Sequence, residues 1–122
     1  MFRYEDLIGR PYRKNAAGPE AYSCYGLVRE VSRRMGNTLP DYDQVCLAAA
    51  IDSHKNDFAS VSRPRIGDLV VIKTRPRERH IGIMVDGSRF IQCTRLSGTE
   101  VVGIGYPFYS NRIEGYYRYR GK

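Results

Sequence analysis

His80-Ile81-Gly82-Ile83-Met84-Val85, Asp86-Gly87-Ser88 and Arg89-Phe90-Ile91-Gln92-Cys93-Thr94 read in succession as strand, turn and strand. Both flanking runs are rich in β-branched and aromatic residues, and Asp-Gly between them is a hairpin signal. Side chains alternate faces along a strand, so the turn length decides which residues of the two runs look the same way. A two-residue Asp86-Gly87 turn, the simplest for this dipeptide, pairs Val85 with Ser88 and puts His80 and Gln92 on opposite faces. A three-residue Asp86-Gly87-Ser88 loop pairs Val85 with Arg89 and puts them on one face, diagonal to each other and within side-chain reach.

Further strands extend outward from this hairpin. Asp68–Lys73 precedes it, after a turn marked by Pro64 and Gly67, and Glu100–Ile104 and Gly115–Arg120 follow. Upstream the period changes. Residues 3–8 read as a short helix stopped by Gly9 and Pro11, and residues 13–21 as a loop. From Cys24 to Met35, Leu27, Val28, Val31 and Met35 form one apolar stripe, with Arg29, Glu30, Arg33 and Arg34 off it. Ser23 is positioned to cap that helix and Gly36 to end it. A second helical region is expected from about Asp43 to Phe58, around Ala48-Ala49-Ala50. Helices followed by consecutive strands are the order of an α+β domain with an antiparallel sheet.

The 122 residues are enough for one domain, expected to span 1–122, with 42% hydrophobic and 27% charged residues. The formal charge of +7 suits an anionic partner or, equally, a solvated basic surface. Three cysteines, Cys24, Cys46 and Cys93, make no disulfide framework, and no Cys-x-x-Cys pair is present, so neither a structural metal nor a cofactor is expected. No run approaches the ~20 apolar residues of a spanning helix, so no membrane insertion is expected. The segment Met1–Asp6 lacks a signal pattern, which fits synthesis in the cytoplasm.

Cys24 stands where a helix begins. A helix N-terminus carries unpaired N–H groups and a partial positive charge, both of which favour a thiolate. An imidazole at His80 would supply the base, and a base needs an orienter on its second nitrogen, for which Gln92 is the candidate. Cys46, in a helix, and Cys93, in a strand, lack the helix-end field and read as small buried hydrophobes. His54 reads as solvated.

These residues resemble the NlpC/p60 family of papain-like cell-wall cysteine peptidases. Ser23-Cys24-Tyr25-Gly26-Leu27-Val28 is similar to its nucleophile motif Asp-Cys-Ser/Trp-Gly-Leu-Val. Arg65-Ile66-Gly67-Asp68-Leu69-Val70 is similar to its Pro-Gly-Asp-Leu turn. The block His80-Ile81-Gly82-Ile83, Asp86-Gly87 and Phe90-Ile91-Gln92-Cys93 is similar to His-Val-Gly-Ile, Asp-Gly and Phe-Ile-His-Ala. Gly9-Arg10-Pro11-Tyr12 and Asn111–Arg118 resemble the phage-tail-associated branch. Two departures stand out: Ser23 where the family has Asp, and Gln92 where it often has His.

The resemblance implies a papain-like fold with N-terminal helices packed on a five- to six-stranded antiparallel sheet. It implies a cysteine peptidase or amidase acting on peptidoglycan stem peptides, at the cell wall or in a phage particle if exported, with phage-tail proteins as further partners. Cys24 would be the nucleophile, His80 the general base and Gln92 the third polar residue. Tyr12 would help the Cys24 backbone N–H hold the oxyanion beside Ser23. Two other functions are weighed against it. One is a non-catalytic assembly part of a tail or injection machine. The other is nucleic-acid binding through Tyr116-Tyr117-Arg118-Tyr119-Arg120, which reads instead as a strand with Tyr117 and Tyr119 turned to the core, so no nucleic acid is expected. Oligomeric state is not readable from the sequence.

Overall fold

The structure, a computed structural model, describes residues 2–40, 55–75 and 78–121. Its strands are β1 (Phe58–Val61), β2 (Leu69–Arg75), β3 (Glu78–Met84), β4 (Arg89–Thr94), β5 (Gly98–Gly103) and β6 (Ile113–Tyr119). They form a six-stranded sheet in the order β1-β6-β2-β3-β4-β5 with antiparallel neighbours throughout. Helix α1 (Cys24–Arg34) packs on β3 and β4. A one-turn helix, α2 (Pro107–Ser110), lies in the connection that returns from the β5 edge to β6. This is the expected α+β arrangement.

The alternation of the strands divides the core in two. Odd-numbered positions, among them Leu69, Val71, Ile81, Ile83, Ile91 and Cys93, face Leu27, Val28 and Val31 of α1, and all are essentially inaccessible. Burying each aliphatic side chain of this kind contributes about 1.5–3 kcal/mol, so the α1 stripe alone fixes the helix on the sheet. Even-numbered Val70, Ile72, Met84 and Phe90 form the second cluster, with Tyr109 of α2 and Ile113 packed against it. Phe90 and Tyr109 meet edge to face with ring centroids 5.7 Å apart.

Helix α1 begins and ends as its sequence dictates. The Ser23 hydroxyl accepts from the Gly26 N–H at 2.9 Å, and Gly36, at φ +94°, takes the left-handed turn beyond the last residues. The entry to β2 is fixed by Asp68, which is 2% exposed. Its carboxylate accepts from the Arg65 N–H at 2.7 Å and from Nε and Nη2 of Arg118, both at 2.8 Å.

Two expectations are corrected. Residues 3–8 make only a single 3-10 turn, Glu5–Leu7. The helical reading of 43–58 fails at its end: Lys55–Asp57 is a 3-10 turn and Phe58 starts β1, where Phe58 pairs with Tyr119 and packs against its ring at 5.6 Å. The rest of that region, 43–54, lies outside the described residues, with Cys46 and His54. The α2 turn was not expected at all. In β6, Tyr117 and Tyr119 pack against the α1-side core and Arg118 is held by Asp68, as a structural strand requires. No described helix is long and apolar enough to cross a membrane.

Candidate active site

The register of the central hairpin is the even one. Ile83 pairs with Ile91 and Met84 with Phe90, and the Val85 N–H donates to the Arg89 carbonyl at 2.9 Å. The loop is therefore Asp86-Gly87-Ser88. Asp86 closes it, its carboxylate accepting from the Ser88 and Arg89 N–H groups, each at 2.8 Å, and from Arg89 Nε, also at 2.8 Å. These bonds, the Ser88 N–H first, hold the Asp86 carboxyl below its ordinary range. The extra residue puts His80 and Gln92 on one face of the sheet, the one that carries Ile72 and Phe90.

Among the described residues the β3–β4 ladder stops short of His80, while β3 stays paired with β2 at Ile72↔His80 and β4 with β5 through Thr94↔Gly98. The start of α1 is seated on β4. The Cys93 thiol donates to the Tyr22 carbonyl at 3.3 Å, two residues before Cys24. Cys93 is one residue from Gln92 on β4 and faces the α1 side of the sheet. Helix α1 thus packs on the odd face of the sheet, with Cys24 and Tyr12 against the same core, while His80 and Gln92 stand on the even face with Ile72 and Tyr109.

Cys24 is half-buried and is the first residue of α1. No acidic residue stands in the first turn, and the Glu30 carboxylate further along is paired with Arg33 and Arg34 of the last turn, so no charge in the first turn opposes a negative charge at the helix start. Gly26 allows the preceding loop to press on this turn. The Ala16 carbonyl accepts from the Ser23 N–H at 2.8 Å and would stand only 2.1 Å from a Cβ at position 26. Tyr12 is tied to the same segment: Tyr22 N–H donates to Pro11 O at 3.0 Å and Arg13 N–H to Tyr22 O at 3.1 Å. Tyr12 and Cys24 both pack on the α1-side core, and the Arg95 guanidinium lies over the Tyr12 ring, 5.4 Å from its centroid.

Gln92 is 1% exposed. Its Nε2 donates to the Tyr109 hydroxyl at 2.9 Å and faces Glu100 Oε2 at 3.4 Å, while Oε1 is buried and accepts no hydrogen bond from the described residues. Burial pushes the Tyr109 phenol up, so it stays protonated at neutral pH. Cys93, by contrast with Cys24, is fully buried and its thiol is pushed up by desolvation. Arg95, Glu100 and Tyr109 were not among the site candidates read from the sequence. Glu100 follows from the register once Thr94 is known to pair with Gly98, since Gln92 then sits opposite it. Tyr109 had no local signal. Among the described residues no group of His, Cys, Asp or Glu side chains gathers to hold a metal ion.

Comparison with known proteins places this geometry. The murein DD-endopeptidase MepS/murein LD-carboxypeptidase of Escherichia coli strain K12 is 27% identical over 115 residues, 92% of this chain and 57% of that protein. The chain therefore spans about half the length of the curated relatives it matches. A lipoprotein-like NLP/P60 family protein of Staphylococcus aureus superposes with a TM-score of 0.68 at 20% identity, over 95% of this chain and 38% of that one. NlpC2 of Trichomonas vaginalis does so with a TM-score of 0.68 at 19% identity, over 94% of this chain and 44% of that one. These two likenesses establish the fold. The NlpC/P60 family model matches residues 9–118, which takes in Tyr12, the capped start of α1 and the whole β3–β4 hairpin, and the chain belongs to that family.

Proposed function

We propose that this chain is a cysteine peptidase that hydrolyses peptide bonds in bacterial peptidoglycan. The observation that carries the reading is the setting of Cys24. It opens a capped helix whose entry segment is seated on β4 through Cys93, in a chain of the NlpC/P60 family. Similarity to a murein endopeptidase and carboxypeptidase supports peptidoglycan as substrate, and the +7 charge suits an anionic polymer.

In this reading the Cys24 thiolate attacks the carbonyl carbon of a stem-peptide bond. The C=O electron pair moves onto oxygen, where the Cys24 N–H and the Tyr12 hydroxyl stabilise it. His80, as imidazolium, gives its proton to the departing amine as the C–N bond breaks, leaving a thioester on Cys24. Water then attacks the thioester carbon as His80 takes its proton, and the C–S bond breaks to release the acid and restore the Cys24 thiolate and His80 imidazolium. Gln92 holds the imidazole through its second nitrogen, as a neutral amide rather than the imidazole the family often has there. Ser23 replaces the family's acid but keeps the cap, so the helix start is formed without a negative charge beside the thiolate. The flanks Gly9–Tyr12 and Asn111–Arg118 favour a phage-tail-associated setting.

Digestion of purified peptidoglycan by wild type and by Cys24→Ala, read as product masses, tests the proposal. New peptide ends should appear with the wild type and vanish with the variant. Equal products from both, or none from either, would favour the assembly role.

A further inference from the structure

We infer that Arg95 is a specificity-determining residue that takes a carboxylate of the substrate peptide beside Tyr12. The inference rests on the reading of Cys24 as the nucleophile of a peptide hydrolase, and it names a chemical feature of the substrate that this reading leaves open.

Arg33, Arg34, Arg79, Arg89 and Arg118 each pair with a carboxylate of the chain itself. Among the described residues Arg95 has no such partner, and neither have Arg10, Arg13 and Lys14. All four are exposed. The fold gathers them. Arg95 stands in the turn between β4 and β5, and loop 9–14 is fastened to that turn. Thr99 donates to the Arg10 carbonyl through its N–H at 2.9 Å and its hydroxyl at 3.0 Å, and the Gly9 N–H donates to the Thr99 carbonyl at 2.9 Å. Gly98, at φ +68°, lets the loop come so close that a Cβ there would lie 2.9 Å from the same Arg10 oxygen. The Ser97 N–H donates to Thr94 Oγ1 at 3.1 Å within the turn. Four cations thus stand on two joined segments, and Glu20 is the only acidic residue from 9 to 22. Such a patch draws anions.

Arg95 differs from the other three in being held by a ring. Its guanidinium lies 5.4 Å from the Tyr12 centroid, inside the ~6 Å of a cation–π contact. The ring covers one face of the planar group and leaves its N–H edge to grip a carboxylate with two parallel bonds. A side chain already ordered loses less freedom on binding. Tyr12 also sets the distance to the thiol. It bridges Tyr22 in parallel, at the ~5 Å spacing of paired strands, and Tyr22 lies two residues before Cys24, at most about 7 Å away. The Tyr12 and Cys24 backbones are therefore no more than about 12 Å apart, three or four residues of extended peptide. A carboxylate on Arg95 belongs to a residue within a few positions of the bond that Cys24 attacks.

The probe is a peptidoglycan stem tetrapeptide, as the free acid and with its carboxylates converted to amides. Each form is titrated calorimetrically into the Cys24→Ala protein at low salt, where charge pairing is least screened. The acid should bind about three- to tenfold more tightly than the amide, between the range of an exposed ion pair and that of a bidentate one. Arg95→Gln should abolish this preference by weakening the acid alone, and Arg95→Lys should restore part of it. Arg63→Gln removes the same charge after β1, at the opposite edge of the sheet, and should leave the preference intact. An Arg95 that only steadies Tyr12 would weaken both forms alike when replaced, and that result would overturn the inference. So would a preference that survives Arg95→Gln, or binding of neither form. Cleavage is scored with Cys24 intact. An Arg95-dependent preference in a protein that cleaves no peptidoglycan would uphold the carboxylate site and refute the hydrolase reading; cleavage without such a preference would do the reverse.

Discussion

Replacing Gly26 with alanine sets helix propensity against packing, and the structure says which wins. In an open helix the change would stabilise by up to about 1 kcal/mol. Here the new Cβ would lie 2.1 Å from the Ala16 carbonyl oxygen and 3.0 Å from Ser23 Oγ. A carbon–oxygen contact needs about 3.3 Å, so the Ala16 carbonyl must retreat by roughly 1 Å. Its 2.8 Å hydrogen bond from the Ser23 N–H then breaks, and a part-buried donor left unpaired costs about 1–3 kcal/mol. Disturbing the Ser23 cap adds about 1 kcal/mol. The net expectation is a loss of about 1–3 kcal/mol, several degrees in Tm for a domain of this size. Urea unfolding gives the number. Gly87→Ala is the control, because nothing lies within 4 Å of its Cβ and its φ is ordinary, and it should change stability little. A Gly26→Ala protein as stable as wild type would refute the claim that loop 13–21 is clamped onto the first turn.

Asp68→Ala should cost about 2–3 kcal/mol in urea unfolding, toward the low end for a broken buried ion pair because Arg118 is 37% exposed and water can partly replace its partner. Glu30 supplies a pH test. Hydrogen bonds from Arg33 and then Arg34 hold its carboxyl below the ordinary 4.5. A depressed carboxyl contributes stability above its unfolded value and loses it as pH falls through the folded one. The stability gap between wild type and Glu30→Gln should therefore be full at pH 7 and close below 4.5; a gap of constant size in unfolding measurements from pH 7 to 3 would show that Glu30 acts through packing rather than charge.

The parts of the fold that were legible in the sequence are those where a local rule suffices. Alternation found the strands from Asp68 onward, the stripe of Leu27, Val28 and Val31 found α1, and Ser23 and Gly36 marked its ends. The hairpin posed a two-way question that side-chain parity made decidable, because a one-residue difference in the loop moves Gln92 to the other face. What was missed depends on distant partners. Phe58–Val61 is four residues at a sheet edge, ordered by pairing with Tyr116–Tyr119 at the far end of the chain, and the alanine-rich run before it extended the helical pattern across Phe58. Tyr109 reaches Gln92 only because the β5–β6 connection crosses the second face of the sheet. Glu100 became visible only with the β4–β5 register. The candidate residues Cys24, His80 and Gln92 were read from local motifs, whereas the partners of Gln92 came from topology.

The central claim is that Cys24 is an activated thiol, and its alkylation rate tests this most directly. Iodoacetamide reacts with thiolate, so the rate at each cysteine follows the fraction ionised and the access to it. Between pH 5 and 8 in the native protein, Cys24 should be labelled at least about tenfold faster than Cys93, whose buried thiol is pushed up. His80→Ala should bring the Cys24 profile back toward that of an ordinary thiol near pH 8.5. A Cys24 labelled no faster than Cys93, or indifferent to His80, would contradict the account.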